Sequence, residues 1–566
     1  MNRKTYSMIL ALLICLALGF LTGCGGSSNL PAATNNYVFY GSGQEPANAA
    51  NGGFLSYYAF SGVVTINVKG EVVAATGNAT PGELDYNDGD GITSAQPAGD
   101  AITGGTLTIG ATTGQGTLTL VTSNALLGVN GTITLAIQFV NPNHALISQF
   151  DATATSSGSL DLQSSTAMPS GNFAFTASGV DAVYAPIAIA GVFTLGGASP
   201  NGLVDSNDDG TVTTSGGTAN LTVSLNKPDA FGRGTFISSL QYGTTPISIN
   251  YYVVGPEVIR IIDVDPSLSG GGTDSAVGSA FGQGTSFGSF TNASLRSSVF
   301  AIAGDPFSSN YGAAGQFSTD DAGKITTGVG EANELGNGLL SALASPIAGT
   351  YAIGLSGYGD LTLSPTSLGS IASLGIYVTD PTLNLNDPNN ATGGGGALIL
   401  DLDDVLAGGT GVVIPQTDAA VADFTGNYAV GWQNFNSFND SCKLCESDMI
   451  AEGSMTSGGA LMLSGSVSDP FLTFSTTATS TGNSFTATPL GDTVNLGRYS
   501  MLSTNVTPDP LQAKIASTNE SFNLVIYQAS AGQLFWLEYD PLDDNGVNSV
   551  FVGPLEQQSA SLTGLP

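Results

Sequence analysis

Positive charge is what this chain has least of. Eleven Lys and Arg stand against 44 Asp and Glu, a formal net charge of −33, and charged residues of either sign make up only 10% of the 566. Such a surface repels phosphate backbones, so no nucleic-acid partner is expected. Histidine occurs once, as His144 in Asn141-Pro142-Asn143-His144, a stretch that reads as a turn between strands. A Ser-His-Asp triad would have to use that residue, and no GxSxG in a strand–turn–helix setting accompanies it. No P-loop or dinucleotide fingerprint is present either, so no catalytic residue is assigned. Beyond the first two dozen residues no apolar run approaches the about 18 needed for a membrane-spanning helix.

What is present points to strands. Hydrophobic residues are 42% of the chain, enough to fill several cores, and the length suggests about four domains. The 77 Gly and 25 Pro disfavour long helices throughout. Between the glycines Thr, Val, Ile, Phe and Tyr recur, residues that suit a pleated surface. With so few charges, the polar surface falls to Thr, Ser, Asn and Gly.

The N-terminal residues 1–23 carry a basic start (Arg3, Lys4), an apolar run from Met8 to Leu21 and a small-residue end, the pattern of a secretory leader. Its end, Leu21-Thr22-Gly23-Cys24, resembles the lipobox of bacterial lipoproteins. That resemblance implies cleavage before Cys24, acyl chains on Cys24 and a membrane partner reached through them. Two or more chains suffice for stable anchoring, at about 0.8 kcal/mol per buried methylene. Gly25, rather than Asp, follows the cysteine. By resemblance to the sorting rule of some Gram-negative bacteria, this implies the outer membrane as address. Residues 24–36 then read as a flexible tether.

Four segments share one order of features. They open on an aromatic in a short strand followed by a glycine: Tyr37 to Gly41, Gly171 to Gly179, Ser298 to Gly304 and Gly426 to Gly431. In the first three, a strand and an acidic turn follow, best seen in Gly191–Gly210. A glycine-centred hairpin comes next, at Gly114-Gln115-Gly116, Gly232-Arg233-Gly234, Gly357-Tyr358-Gly359 and, more loosely, Gly497-Arg498. A strongly patterned strand follows. In Thr132–Phe139, Ile133, Leu135, Ile137 and Phe139 share one face, and Thr132, Thr134 and Gln138 share the other.

This repetition predicts an all-β chain, a tandem array of about four antiparallel modules over residues 37–167, 168–290, 291–424 and 425–566, the last divergent. Small up-and-down barrels, which abolish exposed edges, are favoured over a β-sandwich. The order of modules resembles the repeated β modules of large bacterial lipoproteins of uncharacterised function.

Three features invite a chemical reading. Asp205-Ser206-Asn207-Asp208-Asp209-Gly210 resembles half of a calcium loop, with Asp205, Asn207 and Asp209 as oxygen ligands. The twelfth position, where a bidentate Glu belongs, is Gly216. The other copies keep only acid-x-Asn-acid (Asp85 to Asp88, Glu331 to Glu334), which favours side chains capping a turn. Calcium is therefore the one cofactor entertained. Cys442 and Cys445 are the only thiols outside the leader and the lipobox, and in an oxidising compartment they read as a local disulfide. Asp401, Asp403 and Asp404 end an apolar strand and are expected to face solvent.

The leading functional expectation is a lipid-anchored envelope or surface protein with a structural, adhesive or binding role, and not an enzyme. A small-ligand or carbohydrate-binding lipoprotein using Tyr251, Tyr252, Trp432 or Trp536 is the alternative. A hydrolase on the divergent fourth module is a third.

Overall fold

The computed structural model describes residues 33–562 apart from 46–55, 89–93, 95, 111, 152, 182–184, 196–201, 243–244, 266–273, 305–309, 336–337, 340–344, 365–367, 369–370, 391–392, 404–407, 418–424, 437–444, 456–459, 470–473, 477–483, 490–497, 504–522, 531, 539–548 and 561. Cys24 and Cys442 lie outside the described residues, and Cys445 opens the strand Cys445–Met455. Among the described residues the chain is antiparallel strand, interrupted by two single 3-10 turns at Gly284–Ser286 and Asn292–Ser294. No helix there is long and apolar enough to cross a membrane, which says nothing of β-barrels.

The strands form four meanders, and each closes on itself. In the first, eight strands from Thr34–Glu45 to Thr155–Leu162 pair in chain order, and the last returns to the first with Tyr37 opposite Leu162 and Gln44 opposite Thr155. The second runs from Gly171–Val180 to Ser275–Gly282. Its ring is completed by a bridge between Gly202 and Leu221. The third, Ser298–Gly304 to Gly409–Pro415, closes through Tyr311–Thr319 on Lys324–Glu334. The fourth, Gly426–Asn436 to Ser549–Gln557, closes through Cys445–Met455 on Ala460–Asp469. These are up-and-down barrels, not sandwiches.

An eight-stranded barrel is just wide enough for side chains to fill. Ile133, Leu135, Ile137 and Phe139 point into the first barrel beside Tyr58, Phe60 and Leu84. Phe173, Phe193 and Phe236 fill the second, and Trp536 with Phe551 the fourth. The aromatic of the opening strand meets a glycine of the next strand rather than the glycine that follows it in sequence. Phe175 lies opposite Gly191, and Phe300 opposite Gly315. A Cβ on those glycines would stand 2.8 and 2.5 Å from the phenyl rings, so the ring lies flat over bare backbone.

The outer faces are buried as well, because the barrels pack head to tail. The second strand of the first barrel, Ser56–Asn67, packs on the last three strands of the second (Ile249–Gly255, Val258–Asp263, Ser275–Gly282). The first two strands of the second barrel meet Ser373–Val378, Ala397–Asp401 and Gly409–Pro415 of the third. Those of the third meet Asn523–Ser530, Gln533–Glu538 and Ser549–Gln557 of the fourth. Those of the fourth meet Thr132–Asn141, His144–Gln149 and Thr155–Leu162 of the first. The same seam thus occurs four times and the ring closes. A head-to-tail contact either closes or runs on as a filament, and here it closes within one chain. Apolar seams run through Val38, Tyr57 and Ala59 against Tyr252 and Val258, and through Val299 and Ala301 against Tyr527 and Leu537.

Candidate functional site

The recurring acid-x-Asn-acid stretch is the hook of the seam. It ends the third strand of each of the first three barrels, and its side chains reach into the next barrel. Asp85 accepts two hydrogen bonds from Arg233, Nε to Oδ2 and Nη2 to Oδ1, both 2.8 Å. Tyr252 and Asn250 donate to the same carboxylate at 2.9 and 3.0 Å. One step on, Asp205 accepts from the Tyr377 hydroxyl at 2.7 Å and from Tyr358 at 3.4 Å. At the third seam Glu331 accepts from the Tyr527 hydroxyl. The receiving residues sit at one cross-strand position of the fold: Arg233 with Tyr252, Tyr358 with Tyr377, and Tyr527 on the strand paired with Arg498–Ser503.

The hook's asparagine grips backbone. Asn87 donates to the carbonyls of Asp263 and Asp274 at 3.2 and 2.7 Å. Asn207 donates to Asp401 and Asp403 at 3.2 and 3.0 Å, and Asn333 to Glu538 at 3.3 Å. Side-chain amide to carbonyl bonds of this kind read register rather than sequence, so they align one barrel's strand ends with the next. The fourth seam is different. The first barrel has Gln115 opposite Gln138 at the receiving position, and Ser466-Val467-Ser468-Asp469 stands where a fourth hook would be. There Thr155 donates to Asp448 at 2.7 Å and the Glu446 amide to Gln44 at 2.9 Å.

Where the four barrels meet, they leave a central cavity of about 330 Å³ lined by residues of all four, among them Tyr40, His144, Arg260, Ser279, Asn386, Thr410, Gln433 and Glu556. Its wall carries a charged chain. Arg260 Nη2 donates to Asp161 Oδ2 at 2.6 Å. His144 Nδ1 lies 2.7 Å from Asp161 Oδ1, and Nε2 lies 3.4 Å from Glu556 Oε1. The guanidinium stacks over the Tyr40 ring, 4.1 Å from its centroid. All four charged residues are buried. Burial pushes the Asp161 carboxyl up, but Arg260 and His144 outweigh it and hold it at about 2. Burial likewise works against the His144 cation, yet Glu556 and Asp161 hold its pKa well above the ordinary value. A larger cleft of about 1040 Å³ shares Glu556 and is walled by amides, including Asn141, Asn384, Asn427, Gln557 and Gln558.

These placements revise several expectations. Asp205 and Asn207 are buried in the second seam, whereas Asp209 is exposed in a two-residue turn with Gly210, φ +45° and +81°. That geometry is the type I′ hairpin turn that Asp-Gly favours. The turn expected over Asn141–His144 is present, with Pro142 and Asn143 at its tip, but His144, just past it, does not face solvent. It starts the strand His144–Gln149 and is buried at the hub. Asp401 does not face solvent either. It is fully buried, accepts from the Tyr311 hydroxyl, and burial raises its pKa to about 8. Asp404 lies outside the described residues. Tyr251, Tyr252 and Trp536 are buried and Trp432 is partly buried, so none offers an open platform to a sugar. Arg260 and Asp161 were not singled out in the sequence. The available signal was an arginine in mid-strand, Val258-Ile259-Arg260-Ile261-Ile262, in a chain poor in cations; such a residue is buried only when paired.

No protein-family model and no curated protein matches the chain. Two crystal structures of variants of the vaccine antigen Transferrin Binding Protein B (TbpB) from Haemophilus parasuis Hp5 align with it. The first is 11% identical and covers 75% of this chain and 86% of its own, with a TM-score of 0.21. The second, a double variant, is 10% identical and covers 74% and 84%, also at 0.21. At such scores the likeness carries no argument. What the fold itself defines is an all-β chain of closed antiparallel barrels.

Proposed function

We propose that the protein is a lipid-anchored envelope protein, held to the outer membrane by acyl chains on Cys24, in which the ring of barrels is a rigid, non-enzymatic scaffold for binding or adhesion. The observation that carries this reading is the use of buried polar and charged groups to lock barrel to barrel. Such groups contribute little net stability but specify a unique arrangement, which is what a presented surface requires. The anchor is the first point to test. Cys24→Ser is expected to move the protein from the membrane to the soluble fraction, read by fractionation and by loss of labelled fatty acid. Membrane retention after that change would reject lipidation.

A second reading is favoured by the larger cleft beside the hub. The barrel interiors are packed with apolar side chains, so a ligand-binding role shifts from barrel mouths to the amide-walled cleft. Its lining suits a small neutral polar molecule such as a saccharide. Asn427 is exposed on that wall, and Asn427→Trp is expected to abolish any saccharide-induced rise in melting temperature. A rise that survives it places binding elsewhere.

Calcium at Asp205, Asn207 and Asp209 competes with the hook for the same side chains. As a hook residue, Asp205→Ala is expected to lower the melting temperature equally with and without calcium. A calcium-dependent rise that Asp205→Ala alone removes would restore the metal reading.

A further inference from the structure

In the first and third barrels the strand before the last ends on a polar residue that meets one position of the second strand. In the first barrel Tyr58 donates its hydroxyl to Gln149 at 2.8 Å, and in the third Tyr311 donates to Asp401. Both tyrosines stand four residues before the strand glycine, Gly62 and Gly315. In the second barrel the same place, four before Gly191, holds Ile187. Its counterpart carboxylate, Asp263, is 3% exposed, and its Oδ2 has no hydrogen-bond partner.

In place of a phenol, the second barrel brings up more carboxylates. Oxygens of Asp263, Asp265 and Asp274 all lie within 4.8 Å of one another. The Asp265 amide donates to Asp263 Oδ1 at 2.9 Å, and Asp265 Oδ2 accepts from the Ser248 amide at 3.1 Å, so both side chains are fixed in place. Asn87 of the first barrel holds the carbonyls of Asp263 and Asp274, which sets the separation of the two arms. Three converging carboxylates, one of them buried with an unused oxygen, are a costly arrangement without a compensating positive charge.

We propose that Asp263, Asp265 and Asp274 bind one calcium ion at the seam between the first and second barrels. Calcium takes 6–8 oxygen ligands in flexible geometry. The carboxylates supply the charged part of that shell and water completes it. The ion occupies the role that the tyrosine hydroxyl plays in the neighbouring barrels, and it ties the last two strands of the second barrel together beneath the hook of the first.

The test is isothermal titration of calcium chloride into the chelator-stripped full chain in detergent, with thermal melts alongside. The parent is expected to bind one calcium per chain and melt higher in its presence. Asp274→Asn and Asp265→Asn are expected to abolish both effects, and Asp205→Asn to leave both intact. The substitutions are near-isosteric, and Asp274→Asn and Asp265→Asn carry the test if Asp263→Asn does not fold. No binding by the parent above about 1 mM calcium, the weak end for extracellular modules, overturns the site. So does binding that survives Asp274→Asn. Stabilisation by Asp263→Asn in calcium-free buffer, with no calcium response in the parent, identifies a buried proton in its place and overturns it too.

Discussion

Asp85→Ala is expected to destabilise the protein by about 3–5 kcal/mol, because it leaves the buried Arg233 guanidinium without its counter-charge. Arg233 is 6% exposed and Asp85 fully buried. The bidentate pair is supported by Tyr252, Asn250 and Gln96 Nε2 on the same carboxylate, and the Arg233 side chain also donates to the Pro97 carbonyl and to the side-chain oxygen Oε1 of Gln96. Removing the carboxylate takes an acceptor from four side chains at once, Arg233, Tyr252, Asn250 and Gln96, and each buried group left unsatisfied costs about 1–3 kcal/mol. The loss falls on a seam rather than on a barrel interior, so it has a second signature. The first barrel is expected to separate before it unfolds, read as early protease cleavage between residues 162 and 171 and as a biphasic urea transition. Arg233→Met with Asp85→Leu, which removes both charges, is expected to recover most of the loss. A parent-like urea midpoint for Asp85→Ala would show that the hook does not hold the seam.

The barrels were legible in the sequence because their cause is local. Alternation in Ile133–Phe139 sets the interior face of one strand, and a tight turn sets the next, so a meander follows from short-range signals. The ring was half-legible. In the second copy, Ile249-Asn250-Tyr251-Tyr252-Val253-Val254 is apolar on both faces, where the first copy has Thr132, Thr134 and Gln138 outside. Tyr251 and Val253 fill the barrel, and Tyr252 and Val254 fill the seam. A strand apolar on both faces is a strand covered on both faces.

The hook was visible as a recurrence but its meaning was not. Asp-x-Asn-Asp places oxygen atoms at alternate positions, which suits a cation and a turn equally well. What decides between them is a partner far along the chain: Arg233 for Asp85, 148 residues away, and Tyr377 for Asp205, 172 away. No local pattern names such a partner. One comparison comes closer. The hook is present in the three copies that are followed by another barrel and missing from the last. The receiving pair is Arg–Tyr in the second copy and Tyr–Tyr in the third, Tyr527 receives in the fourth, and Gln–Gln stands at that position in the first. Hook and receiver thus occur together, each offset by one copy, as a head-to-tail contact demands.

The hub is where chain closure and titration meet, and Arg260→Met tests both. The variant replaces a fully buried guanidinium by an apolar side chain of similar length and leaves Asp161 to His144 and Ser159. A cost of about 3–5 kcal/mol at neutral pH is expected for breaking the pair from one side. The pH dependence separates the ion pair from packing. Asp161 is held at about 2, below its ordinary 3.8. Its contribution is therefore fully present above about 4 and is lost as pH falls toward 2. Without Arg260 the carboxyl titrates higher, so the deficit of the variant is expected to shrink between pH 4 and pH 2. His144 has the opposite sign. Its folded pKa is raised above 6.5, so its contribution is complete below about 6.5 and is lost as pH climbs through the folded value. Glu556→Gln removes the strongest influence holding the imidazolium, and it is expected to move the alkaline loss of stability to lower pH while leaving the acid limb in place. Urea midpoints from pH 2.5 to 9 read both limbs. A deficit in Arg260→Met that stays constant across that range would mean that the stacking of the guanidinium on Tyr40, and not its pairing with Asp161, holds the four barrels together.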